Sequence, residues 1–140
     1  MSIQSEIQTM LESWSESLRN KDVEGLLSHY APEAVYFDVV PPLRHVGSVA
    51  VRKNFERWFG GWTGPIGAEV RDLTILASSD VASVHMLHRT SGTLNDGRKV
   101  GYWVRVTVSL KRSDRWLITH EHVSVPVDVM SGRAVMDLMP

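Results

Sequence analysis

Apolar residues recur every three or four positions at the start of the chain and every second position through its latter half. Ile3, Ile7, Met10, Leu11, Trp14 and Leu18 follow the i, i+3/i+4, i+7 spacing of an amphipathic helix over residues 3–19. Asp22 offers an N-cap for a short second helix through His29, with Glu24 in its first turn and Pro32 barring its continuation. Val35 to Val39 reads as a strand halted by Pro41-Pro42. Beyond Gly47, Ser48 caps a third helix whose Val51, Phe55, Trp58 and Phe59 form one apolar face, ended by Gly60, Gly61 and Gly64-Pro65. Segments 67–78, 81–94, 99–112 and 115–125 then switch to a period of two. They are separated by the turn signals Ser78-Ser79-Asp80, Asn95-Asp96-Gly97 and Ser113-Asp114.

Helices first and a meander of long strands afterwards predict an α+β fold, with three helices packed on one face of a curved antiparallel sheet. No repeat or linker interrupts the pattern, so residues 1–140 form a single domain, with a core over 3–126 and a tail over 127–140. The tail loses strand periodicity, yet Val135-Met136-Asp137-Leu138-Met139-Pro140 is apolar for a free end. It is expected to dock, over a cavity mouth or on a neighbouring subunit.

Charge and composition remove several classes of function. A net charge of −1 supplies no basic footprint for nucleic acid or an anionic membrane. No apolar run approaches the ~20 residues that span a bilayer, and the first residues lack the basic and apolar regions of a signal peptide. The absence of cysteine excludes disulfides, thiolate chemistry and Cys-ligated zinc, and fits a cytoplasmic location. Five tryptophans point to large apolar walls in a core or around a ligand.

Candidate chemistry gathers at a few positions. Asp38 ends an apolar strand, where lost solvation raises a carboxyl's basicity and suits it to moving protons. Trp103, Arg105 and Thr107 share one face of their strand, and Tyr102, Val104, Val106 and Val108 the other; alternation leaves open which face lines the interior. His120 and His122 share a face with Trp116, Ile118 and Ser124, which assigns Glu121 to the opposite side, in solvent or an interface ion pair. His-x-His on a strand can chelate zinc, but no spacing selects a third ligand among Asp38, His45, His85 and His88, so no metal is expected. His85 and His88 face opposite sides of their strand, and Met86 shares the face of His88. Trp14, Tyr30, Phe37, Phe55 and Trp58 supply aromatic walls.

Two stretches carry a family resemblance. Ala34-Val35-Tyr36-Phe37-Asp38, with Pro42-Leu43 and Val46-Gly47, precedes the third helix. Arg115-Trp116-Leu117-Ile118-Thr119-His120-Glu121-His122-Val123-Ser124-Val125-Pro126 closes the meander. Together with the element order over residues 5 to 126, they resemble the SnoaL-like branch of the ketosteroid isomerase and nuclear transport factor two superfamily. The resemblance implies a conical, cystatin-like α+β roll enclosing an apolar cavity open at one end. It places Asp38 at the general base of ketosteroid isomerase, and Trp14 and Arg105 near the family's oxyanion-hole tyrosine and acid.

The expected catalytic set is therefore Asp38, His120, His122 and Arg105. The expected substrate-binding set is Trp14, Tyr30, Phe37, Phe55, Trp58, Met86, His88, Trp103 and Thr107. No cofactor is implied. The partners expected are a small apolar molecule and a second copy of the chain, bound through the sheet. The reaction class implied is isomerisation, cyclisation or dehydration by proton transfer; the alternative is a noncatalytic ligand-binding or oligomerisation module of the same fold.

Overall fold

The computed structural model describes all 140 residues. Helix α1 (Ile3–Arg19) is capped by Ser2, whose side chain accepts from the Ser5 N–H, and buries Ile7, Leu11, Trp14 and Leu18 on one face. Asp22 caps α2 (Val23–Leu27) by accepting from the Gly25 N–H. Strands β1 (Tyr30–Phe37) and β2 (His45–Val46) precede α3 (Ser48–Phe59). Long strands β3 (Trp62–Ala77), β4 (Val81–Leu94), β5 (Lys99–Arg112) and β6 (Trp116–Ser124) follow. A small hairpin of β7 (Val127–Asp128) and β8 (Arg133–Ala134) lies in the tail. These bounds start β1 and β3 five residues before the predicted 35 and 67, and give the tail strand structure that its sequence pattern did not show.

The six-stranded sheet runs β2-β1-β6-β5-β4-β3. Its meander is antiparallel as expected, but β1 lies parallel to β6, setting Tyr36 beside Glu121 and Phe37 beside His122. Irregular registers in β3 between Thr63 and Gly67 and between Arg71 and Thr74 bend the sheet, and helices fill its concave side. Arg19 fastens α1 to the far strand by donating to the Ala68 carbonyl at 2.8 Å. Gly47 turns the chain into α3 at φ 86° while its N–H reaches the Ala34 carbonyl at 2.8 Å, a conformation that favours glycine. The architecture is the expected cystatin-like α+β roll.

One backbone irregularity decides which chemistry faces inward. Along β6, Ser109 pairs with His120 while the next residue of β5, Leu110, pairs with Ile118, so Thr119 is an extra residue in β6. This bulge reverses the alternation. Trp116 and Ile118 point inward before it; Glu121, Val123 and Val125 do so after it. His120 and His122 are thereby turned to the outer face, and the expectation that Glu121 is solvated is corrected: it is 2% exposed.

Candidate functional site

An apolar cavity of about 170 Å³ opens between the concave sheet face, α1 and α3. Trp14, Phe55 and Trp58 supply aromatic walls, Val104, Val106 and Val123 the sheet floor, and Val39, Val40 and Met136 part of the remaining lining. Met136 comes from the tail and reaches the cavity, whereas Leu138 and Met139, which were expected to dock with it, are exposed. The polar groups lining the space include Asp38, Glu121, His88, Asn54, Arg57, Thr90 and Tyr102.

Asp38 lies one residue beyond β1, inward because Ala34, Tyr36 and Asp38 alternate. Its carboxylate accepts from the Val39 N–H at 2.7 Å and from Asn54 Nδ2 at 2.8 Å. The Asn54 oxygen in turn accepts from Arg57 at 2.7 Å, and the Arg57 guanidinium stands 3.8 Å from Asp38. Asn54 is 4% exposed on the inner face of α3 and is fixed at both ends of its amide. The base candidate is thus held from two elements rather than left to rotate.

Glu121 forms the second carboxyl. Trp14 Nε1 donates to the Tyr30 hydroxyl at 3.0 Å, which directs the Tyr30 proton to Glu121 Oε1 at 2.5 Å. Burial pushes the Glu121 carboxyl up to about 7, and the negative charge of Asp38 adds to the rise. Hydrogen bonds from Tyr30 and Tyr36 to the ionised form hold it from going further. The same burial, with the Glu121 charge beside them, keeps both tyrosines protonated by raising their hydroxyls well above the ordinary range. Two carboxyls therefore face one apolar space, and one of them exchanges its proton near neutrality.

His88 points inward from β4 and packs edge-on against Trp14, ring centroids 5.7 Å apart. Burial, with Arg19 nearby, lowers its imidazole to about 4, and its Nε2 has no protein partner.

Of the expected catalytic set, Asp38 alone borders the cavity. Arg105 is exposed on the outer sheet face, donating to Ser124 Oγ at 3.1 Å, because the Tyr102-Val104-Val106 face of β5 is the inner one. The same parity turns Trp103 and Thr107 outward. His120 bonds the Val35 carbonyl through Nδ1 at 2.8 Å and packs on Phe37 at 4.7 Å between centroids; Phe37 also meets His122 at 5.4 Å. Phe37 is outward because its neighbours Tyr36 and Asp38 are inward. No third His, Asp or Glu gathers with the histidine pair. Of the substrate-binding set, Trp14, Phe55, Trp58 and His88 line the cavity. Tyr30 stands behind Glu121, and Met86 lines a separate groove between α1 and β3 that shares Trp14 as a wall.

The residues missed by sequence reading are Glu121, Asn54, Arg57 and Tyr36. Asn54 was readable: it interrupts the apolar stripe Val51-Phe55-Trp58 at helical spacing, and Arg57 follows it by three. Glu121 was hidden by the bulge.

Comparison with known proteins agrees with this fold. No helix is long and apolar enough to cross a membrane. An NTF2-like protein of unknown function from Pseudomonas putida KT2440 superposes with a TM-score of 0.89 at 33% identity, covering 100% of this chain and 99% of that one. A candidate dehydratase of the NTF2-like family from Streptomyces avermitilis gives 0.78 at 18% identity, over 89% of this chain and 97% of the other. A ketosteroid isomerase-like protein from Erwinia carotovora gives 0.74 at 15%, over 86% and 93%. At those identities the last two show the fold alone. Among curated proteins, the manganese-exporting P-type ATPase of Mycobacterium leprae is 28% identical over 106 residues, covering 71% of this chain; the match spans only 14% of the ATPase. The SnoaL-like domain model matches residues 7–128. This chain belongs to the SnoaL-like family, within the NTF2-like superfamily.

Proposed function

We propose that this protein is an acid–base enzyme of the isomerase, cyclase or dehydratase type, acting on a small, mostly apolar carbonyl compound in the cytoplasm as a homodimer. The observation that carries the reading is the pair Asp38 and Glu121 facing one apolar cavity, on separate elements and in unequal environments. Asp38 accepts a proton from the carbon next to the carbonyl. The electron pair moves into an enolate, whose oxygen is stabilised by a hydrogen bond from protonated Glu121. In a β,γ-unsaturated ketone the enolate is a dienolate, and Asp38 returns the proton to its γ-carbon, moving the double bond into conjugation with the carbonyl. Where the β-carbon carries a hydroxyl, the enolate's electrons expel it instead, and the proton held by Asp38 goes to the departing oxygen, so that it leaves as water. His120, His122 and Arg105 stay outside this scheme. With Phe37 and Trp103 they give the outer sheet face its aromatic and polar character, which suits contact with a second copy.

The test needs no prior substrate. Small cyclic ketones and enones are incubated with the protein in deuterated water, and exchange of the α-hydrogens is followed by NMR. Exchange catalysed by the wild type and lost in Asp38→Asn supports the reading. A wild-type protein that binds such compounds while leaving their α-hydrogens unexchanged overturns it in favour of the noncatalytic binding module.

A further inference from the structure

The cavity contains a polar group that the proton-transfer scheme does not use. His88 is 3% exposed, lines the cavity, and carries a ring nitrogen sealed from solvent without a protein partner. Buried polar atoms in native folds are satisfied by protein, water or ligand, and here the protein supplies nothing. Trp14, whose ring packs edge-on against it, has its only N–H committed to Tyr30.

We propose that His88 is the second polar anchor of the cavity and selects an uncharged, single-ring ligand bearing a hydroxyl opposite its carbonyl. The carbonyl end rests on the proton-transfer reading above; the hydroxyl end does not.

Size comes first. An apolar cavity of about 150 Å³ holds a benzene molecule, and this one measures about 170 Å³. One ring with short substituents fits; a fused polycycle does not.

The span between the two anchors follows from the sheet register. His88 pairs with Val104 and Glu121 with Val108, so they are two strands apart and offset by four residues of β5. At ~3.4 Å per residue and ~4.8 Å per strand, their Cα atoms are about 17 Å apart. The contact chain His88, Trp14, Tyr30, Glu121 joins the two along one wall of the cavity. A ligand that meets both anchors carries an oxygen at each end of its ring, each making one hydrogen bond.

Charge decides the rest. Arg57 is half-exposed and already engaged by Asn54 and Asp38, and Arg19 donates to the Ala68 carbonyl. Burial keeps His88 neutral down to about pH 4. A ligand carboxylate would therefore enter an apolar space beside Asp38, and Arg57, the guanidinium of its lining, is already shared with that carboxylate. A neutral imidazole has one donor and one acceptor nitrogen, and a hydroxyl can serve either.

Calorimetric titration of the full chain with acetophenone, 4-hydroxyacetophenone and 4-acetylbenzoate tests this. The wild type is expected to bind 4-hydroxyacetophenone about tenfold tighter than acetophenone, the worth of one net hydrogen bond, and 4-acetylbenzoate weakest of the three. His88→Leu is expected to remove the preference while retaining acetophenone. Should His88→Leu fail to fold, the wild-type imidazole nitrogen resonances decide: they shift with 4-hydroxyacetophenone and not with acetophenone. Equal affinity for the two ketones, no binding of either, tight binding of the benzoate, or a preference that survives His88→Leu overturns the proposal. A preference that depends on His88 without any α-hydrogen exchange leaves this anchor standing and removes the proton-transfer reading alone.

Discussion

Replacing Glu121 by glutamine converts the buried carboxyl into a permanent mimic of its protonated form, and the stability of the protein then responds differently to pH. In the unfolded chain the carboxyl releases its proton near 4.5; in the fold it does so near 7. Between those values the folded state holds more protons, so the contribution of Glu121 to stability is fully present below 4.5 and is lost as pH rises through 7. At about 1.4 kcal/mol per pH unit, the loss amounts to about 3 kcal/mol. In the glutamine variant the side-chain oxygen still accepts from Tyr30, and no proton is lost. Relative to wild type, Glu121→Gln therefore gains about 3 kcal/mol between pH 4.5 and pH 8, or ~10 °C in Tm for a domain of this size.

The comparison has to be between the two proteins, because His88 opposes Glu121 in the wild type. Its imidazole is lowered from 6.5 to about 4 by burial, so the unfolded chain binds the extra proton and stability falls as pH drops below 6.5. The two slopes nearly cancel between about pH 4.5 and 6.5. Urea unfolding of both proteins at pH 5, 6, 7 and 8 yields the difference directly, with His88 common to both. A stability difference that stays constant across that range refutes the assignment of a buried carboxyl titrating near neutrality.

Other changes follow the same reasoning. His88→Leu removes the acid-side loss, so its stability relative to wild type rises by about 3 kcal/mol from pH 7 to pH 4, measured in the same unfolding series. Tyr30→Phe leaves both the Trp14 N–H and a Glu121 oxygen unpaired; it costs about 2–3 kcal/mol at pH 7 and raises the Glu121 carboxyl further, visible as a protonated-carboxyl infrared band that persists to higher pH. Gly47→Ala forces a side chain into a backbone at φ 86°, costing about 1–3 kcal/mol by denaturant midpoint. Asn54→Ala removes the hydrogen bond that orients Asp38, and α-hydrogen exchange is expected to drop by about tenfold or more while stability changes by about 1 kcal/mol.

The elements of this fold were legible because they rest on local rules. Helical spacing in 3–19, the cap at Asp22 and the turn signals between the long strands each act within a few residues. Asp38 was legible because an apolar strand ends there and the residues around it carry the family resemblance; alternation did not place it, and Phe37, of the opposite parity, was expected in the pocket with it. The parallel pairing of β1 with β6 was not, since it joins residues some ninety positions apart. Nor was Arg57, whose role depends on a carboxylate from another element.

The larger failure of prediction came from a single residue. Period-two alternation carried from Trp116 through Ile118 puts His120 and His122 in the core and Glu121 outside. The extra residue at Thr119, whose hydroxyl donates to the Ser109 carbonyl, inverts that order. The consequence is chemical as well as geometric. Without the bulge, the cavity would hold two imidazoles opposite Asp38 and the carboxyl would lie in solvent. With it, the interior holds a carboxyl supported by Tyr30 and Trp14, and the histidines stack with Phe37 on the outer face. Candidate catalytic residues on a strand of this kind therefore have to be assigned after the bulge is located.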